Sequence, residues 1–273
     1  MTNSAQELLK SGDLAGALSS LQDSIRAKPE DPKLRVFLFQ LLCVMGDWKR
    51  AVAQLKLCAQ LDAGALPMAQ TYREGIICEV FREKVFAGEK YPLIFGKPQD
   101  WVALLAQSLK AQVQGNVDQA AKLRDQAFDQ APATAGDIDG TPFEWIADAD
   151  SRLGPVLEII INGKYYWMPF NAIANLKLDA PEDLRDAVWT PGALTLQNGG
   201  EMVVLVPTRY AGTIERGTEA MKLSRATEWE DIGGGGFAGL GQRVLATNEN
   251  DYSLMDVREL NIAPVEDGGG ADG

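Results

Sequence analysis

Residues 143–155 read FEWIADADSRLGP. Asp148 and Asp150 stand two apart, Arg152 follows at the same spacing, and Gly154-Pro155 ends the run. Carboxylates placed this way can ligate a cation, form a catalytic acid pair or hold a turn of the chain. A calcium loop needs oxygen ligands at its first, third and fifth positions, glycine at the sixth and glutamate at the twelfth. Counted from Asp148, Asp150 fits the third position, but Arg152, Leu153 and Ile159 take the fifth, sixth and twelfth. Two aspartates suffice for magnesium, yet the adjacent arginine competes for their charge. As a hydrolytic pair they have no visible partner. The expectation is architectural, with no metal, no cofactor and no catalytic residue. Asp148 and Asp150 should pair with arginines and cap the entry into the first strand.

A second candidate is Gly234-x-Gly236-x-x-Gly239, the spacing of a dinucleotide loop. That motif needs a strand before it and a helix after it. Here acidic TEWEDI precedes and strand-like QRVLA follows, so the glycines are expected to form a flexible loop. The chain has no histidine. That removes Ser-His and Cys-His nucleophiles, imidazole metal ligands and a near-neutral general base, and leaves carboxylate or lysine chemistry.

These residues sit in a chain of 273 residues, 46% apolar, long enough for two domains. It lacks a run of about 18 apolar residues, so no membrane span is expected, and its first residues lack a secretory pattern. Cys43, Cys58 and Cys78 lie in helix-like stretches without metal spacing and are expected as reduced, buried thiols. Together these features predict a cytoplasmic protein. Net charge is −12, unevenly divided: 16 basic and 17 acidic residues lie in 1–140, against 10 and 21 in 141–273. An acidic second half argues against nucleic acid. It is compatible with simple solubility or with a basic protein partner.

The first half repeats itself. Gly12-Asp13 and Gly46-Asp47 are 34 residues apart, and Gly115-Asn116 starts a third copy. An alanine follows each glycine at five residues: Ala17, Ala51 and Ala120. Thirty-four is the tetratricopeptide period. Glycine lets two antiparallel helices turn, alanine lets them cross closely, and Pro29 and Pro132 end the second helix of their copies. LPMAQTYREGIICEVFREKVFAG reads as one long extra helix, followed by the loop EKYPLIFGKPQDW. Such an array either offers a groove to a helix or peptide, or serves as a scaffold for its own second domain.

The predicted organisation is therefore α+β: a tetratricopeptide-like helical array over residues 1–132, a linker over 133–142, a small mostly antiparallel domain over 143–264 and a disordered tail over 265–273. Hairpin signals at Asn162-Gly163, at Asn198-Gly199-Gly200 and around Asn248–Asp251 predict about six strands. APEDLRDAVW adds a short helical piece. Trp145, Trp167, Trp189 and Trp229 are expected as core, and an exposed one would mark a peptide-binding face.

Degenerate tetratricopeptide helices followed by FEWIADADSRLGPVLEIIINGKYYWMPF resemble the ImpE/TagJ family, also called SciE-type, accessory proteins of bacterial type VI secretion. DLRDAVWTPGALTL, VPTRYAGT, LSRATEW and GLGQRVL extend the resemblance over nearly the whole chain. It places Trp145, Asp148, Asp150, Arg152, Gly154 and Pro155 on the central signature. Trp189, Arg209, Tyr210, Arg225, Trp229, Gly241, Gln242 and Arg243 fall on later ones. The resemblance brings no catalytic residue, and in this reading Asp148 and Asp150 meet some of Arg209, Arg225 and Arg243, brought together from distant strands. It implies a non-enzymatic accessory role near the contractile sheath, with the small sheath subunit as partner through its N-terminal helix. A generic tetratricopeptide adaptor and a carboxylate enzyme are the rival readings. The tetraglycine at 233–236 departs from the family pattern and predicts an unusually mobile loop.

Overall fold

The computed structural model describes residues 2–96 and 99–264. The chain begins with helices α1 (Thr2–Lys10), α2 (Leu14–Ala27), α3 (Pro32–Met45) and α4 (Trp48–Leu61). Asp13, Asp31 and Asp47 cap α2, α3 and α4, each carboxylate accepting a backbone N–H of the first turn. Gly46 holds φ at +76° in the turn between α3 and α4, a conformation costly for other residues. Ala17, Ala51 and Ala120 are fully buried, as the 34-residue register requires. The long helix is α5 (Leu66–Phe86), and the last pair is α6 (Asp100–Val113) with α7 (Val117–Gln130). Cys43, Cys58 and Cys78 are buried free thiols on these helices. The loop after α5 contributes the two-residue strand β1 (Leu93–Ile94).

The strands follow in dense succession. They are β2 (Gly136–Ile138), β3 (Thr141–Phe143), β4 (Ile146–Asp148), β5 (Val156–Ile161), β6 (Lys164–Pro169), β7 (Ile173–Leu178), β8 (Trp189–Leu196) and β9 (Glu201–Pro207). Short helices α8 (Thr213–Arg216) and α9 (Glu219–Lys222) lead to β10 (Thr227–Gly233), β11 (Gly236–Gly241), β12 (Val244–Thr247), β13 (Asp251–Ser253) and β14 (Glu259–Ile262). Among the described residues, nine strands form one sheet in the order β1-β6-β5-β9-β8-β7-β14-β2-β3. A small sheet β13-β12-β4 and the ribbon β10-β11 complete the domain.

Both faces of the large sheet are covered at β5, which explains the nearly unbroken apolar run of that strand. Leu157, Ile159 and Ile161 point into the core of the strand domain. Val156 and Ile160 point the other way and join the helical core, as do Tyr165, Trp167, Trp189 and Leu205. The helices α3, α4 and α5 thus share one apolar core with the sheet. Tyr72 and Trp48 meet the Trp189 ring at 5.7 and 6.0 Å between centroids.

Three expectations need correction. Residues 133–142 are not a plain linker, because β2 and the first part of β3 lie within them and β2 pairs with β14. Small polar residues there serve tight strand turns, not freedom. The strands exceed six because many are only three or four residues long and leave little period in the sequence. The tetraglycine is a hairpin turn between β10 and β11, with Gly233, Gly234 and Gly235 all at positive φ. It lies against α7: Arg124 donates to the Gly234 carbonyl at 2.6 Å, and a Cβ on Gly234 would stand 2.4 Å from that of Ala121. The expected tail at 265–273 lies outside the described residues. Among the described residues no helix is long and apolar enough to cross a membrane.

Candidate functional site

The D-x-D-x-R spacing has a local cause. Asp148 Oδ1 accepts the N–H of Asp150 at 2.9 Å, and Asp150 Oδ1 accepts the N–H of Arg152 at 2.8 Å. Two successive aspartates each bind the backbone two residues on, which winds the chain into a turn after β4. Leu153 and Gly154 then donate to the Asp150 carbonyl. Gly154 passes under the Phe128 ring of α7, where a Cβ would stand 2.3 Å from it.

The remaining oxygens are also occupied. Asp148 Oδ2 accepts Nε and Nη2 of Arg243 at 3.0 and 2.7 Å, with both side chains fully buried. Asp150 Oδ2 accepts the Gly239 N–H at 3.0 Å and Nε of Arg152 at 3.1 Å. The Tyr210 hydroxyl lies 3.0 Å from Asp148 Oδ1 and accepts the Val244 N–H at 3.0 Å. Its ring passes over Gly239 and meets the Trp229 ring at a tilt of 59°, 5.6 Å between centroids.

Arg243 pairs with Asp148 as expected, but Arg209 and Arg225 do not meet the aspartates. Arg209 reaches the helical half and donates to the carbonyls of Cys43 and Val44, at the end of α3, and of Lys222. Arg225 donates to the carbonyls of Leu9 and Lys10, at the end of α1. The last carbonyls of a helix lack intrahelical partners and carry its negative pole, so a guanidinium suits them. Gln242 joins two loops, donating to the Ser224 carbonyl and accepting the Met255 N–H. Trp167 and Trp189 are core, whereas Trp145 and Trp229 are each 42% exposed.

Sequence reasoning missed three members of this network. Glu158 on β5 is fully buried and takes Arg82 of α5 in a two-pronged pair at 2.6 and 2.7 Å. It also accepts the Tyr165 hydroxyl and lies 3.6 Å from Arg243. Glu79, one turn before Arg82, accepts from Arg82 and from Trp189 Nε1. The signal was available: a glutamate inside VLEIII, and a Glu-x-x-Arg step inside the apolar helix ICEVFREKVF, each imply a buried partner.

The electrostatics follow from burial. Desolvation raises the Asp148 carboxyl to about 6, with Arg243 opposing and Asp150 reinforcing the rise. Burial also raises Glu79, against the pull of Arg82. Burial pushes Glu158 up as well, but Arg82, Arg243 and the Tyr165 hydroxyl together hold the group below its ordinary value. Arg209 is lowered to about 10 by burial, because carbonyl dipoles compensate its charge less than a carboxylate would. Among the described residues no cluster of three metal-ligating side chains occurs. The cavity beside Glu79, Arg82 and Arg209 holds about 20 Å³, room for roughly one water.

Comparison with known proteins bears on this arrangement. Residues 140–261 match the family model described as ImpE protein, and residues 8–70 match a tetratricopeptide repeat. The type VI secretion system accessory component TagJ of Pseudomonas aeruginosa is 51% identical over 262 residues, which span 96% of this chain and 92% of that protein. The chain belongs to the ImpE/TagJ family. The crystal structure of protein VPA1032 from Vibrio parahaemolyticus superposes with a TM-score of 0.86 at 26% identity, covering 96% of this chain and 98% of that one. The ImpE match contains the whole Asp148–Arg243 network on the strand side, while Glu79 and Arg82 lie outside both matched regions. The relation to TagJ supports an accessory component of type VI secretion.

Proposed function

We propose that this protein is a non-enzymatic assembly factor of type VI secretion that captures the N-terminal helix of the small contractile-sheath subunit in the cytoplasm. The observation that carries this reading is the saturation of the signature. Each carboxylate oxygen of Asp148 and Asp150 already accepts a hydrogen bond from within the chain. The arginines of the later signatures are held by helix ends and buried acids. A signature consumed in this way builds a rigid joint between the two halves. It leaves recognition to outer surfaces, where a helical array offers grooves of the right shape for a helix.

The test is titration of the purified full-length protein with a synthetic peptide of the sheath subunit's N-terminal helix. Saturable binding is expected, with association slowed by raised salt because the acidic second half steers a partner carrying flanking basic residues. Absence of binding at about 100 µM, which would reveal contacts worth roughly 5–6 kcal/mol, would overturn the sheath reading.

A further inference from the structure

The second helices of the three repeat copies share one register, counted from Gly12, Gly46 and Gly115. The residues six, nine and thirteen positions after each glycine lie on one helix face. In α2 these are Leu18, Leu21 and Ile25, and in α4 Val52, Leu55 and Ala59. Both faces are apolar and join the core shared with the following helix, α3 for α2 and α5 for α4. In α7 the same positions are Ala121, Arg124 and Phe128. Among the described residues the chain then passes into β2 and β3, with no further helix of the array to receive them. Arginine stands where the earlier copies have leucine, yet Arg124 is only 4% exposed.

Backbone of the strand domain covers that face instead. A Cβ on Gly234 would stand 2.4 Å from Ala121 Cβ, one on Gly236 2.5 Å from Arg124 Nη1, and one on Gly154 2.3 Å from the Phe128 ring. Gly233 lies in the same way on Val117, one turn earlier. Such approaches are open only to glycine. Arg124 Nη2 donates to the Gly234 carbonyl at 2.6 Å, and Gln112 of α6 donates to the Ile232 carbonyl at 2.8 Å. The covering pieces are tied to each other: Ser151 N–H donates to the Phe237 carbonyl at 2.9 Å, and Ser151 Oγ accepts the Phe237 N–H at 3.0 Å. The tetraglycine hairpin and the turn after β4 therefore meet α7 as one unit. A buried arginine fits this position because its neighbour is a carbonyl, which a leucine could not satisfy.

We infer that the tetraglycine hairpin and the signature turn form the terminal cap of the helical array, in the place the next repeat's first helix would take. An array end left bare presents a face to which another repeat can add. A second copy of this chain carries such repeats in α1–α4, so a bare α7 would receive them end to end, in a contact that does not close on itself. The cap stops that addition. It gives the D-x-D-x-R turn a task beyond its own winding, since Asp150 holds the Gly239 N–H of β11 and so aims the hairpin at α7. The cap is independent of which partner the protein captures.

The experiment compares two neighbours in one turn. Gly234 and Gly235 both hold positive φ, which asparagine tolerates best among the other residues, but only Gly234 lies against α7, and a Cβ on Gly235 would meet nothing within 4 Å. Full-length parent, Gly234→Asn, Gly235→Asn and Arg124→Met are followed by hydrogen–deuterium exchange over residues 117–130 and by sedimentation velocity over roughly a hundredfold range of concentration. Gly234→Asn should speed exchange in α7 about tenfold or more and give a mass that rises with concentration. Arg124→Met, which loses only the bond to the Gly234 carbonyl, should show both effects more weakly, and it carries the test if Gly234→Asn does not fold. Gly235→Asn should match the parent in both. Equal exchange in the two asparagine variants would mean that the hairpin does not hold α7. A loosened α7 with the mass of the parent at every concentration would mean that the hairpin braces the helix without ending the array. Either result overturns the assignment.

Discussion

The two halves of the molecule are joined along two seams that handle charge differently. At α5 the seam is charge against charge: Arg82 faces Glu79 and Glu158, and Glu158 neighbours Arg243, which holds Asp148. At the helix ends it is charge against dipole, with Arg209 on the last carbonyls of α3 and Arg225 on those of α1. The same residue type therefore performs two tasks. In the first seam, removing one member strands another charge in the dark. In the second, removal leaves only carbonyl groups, which water can reach more cheaply. The difference sets how much each loss should cost.

The largest effect should come from the first seam. Arg82→Met leaves Glu158 with one distant cation and Glu79 with none in contact, and should cost about 3–5 kcal/mol by urea denaturation. Adding Glu158→Gln should recover part of the loss, because the stranded charge is then gone. If the two losses simply add, the seam is not a coupled network and the contrast between the seams fails.

The pH dependence of the same seam sharpens the comparison. Asp148 has an ordinary value of 3.8 and stands at about 6 in the fold. The folded state therefore binds a proton that the unfolded state does not, between about pH 4 and 6. The contribution of this group to stability is complete below about pH 4 and is lost as pH rises through about 6, with a span of roughly 3 kcal/mol. Glu158 acts with the opposite sign. Its lowered value gives stability above its ordinary 4.5 that is lost as pH falls through the folded value. Urea midpoints of parent and Asp148→Asn at about pH 4.5, 5.5 and 7 should diverge in favour of the parent on acidification. A flat difference would mean that the Arg243 bonds outweigh burial.

In the second seam, Arg209→Met loses its donors to three carbonyls and should cost about 2 kcal/mol, less than Arg82→Met although both arginines are buried. An equal loss would erase the distinction between the seams.

The repeat half was the more legible in sequence, for a physical reason. Helix turns demand glycine, crossings demand alanine and starts favour aspartate, so Gly46, Ala51 and Asp47 mark one unit within six residues. The strand half gives itself away only at its tight hairpins, such as Asn162-Gly163 between β5 and β6. Its short strands β2 and β4 are placed by partners far along the chain, β14 and β12, and carry no period of their own. The site was half legible. Asp148 with Arg243 followed from charge and burial, but the destinations of Arg209 and Arg225 did not, since a helix C-terminus advertises no residue type to its partner. Glu158 and Arg82 were readable only as charges in apolar company.

The smallest stability effect is expected at Arg225. Its guanidinium touches the Leu9 and Lys10 carbonyls from an exposed position, so Arg225→Ala should cost only about 0.5–1 kcal/mol. Most of that should disappear at high salt, because an exposed charge at a helix end is screened. Arg209, which makes the same kind of contact from a buried position, should keep its larger cost at high salt. An Arg225→Ala loss that is unchanged by salt would mean that packing rather than charge holds the end of α1.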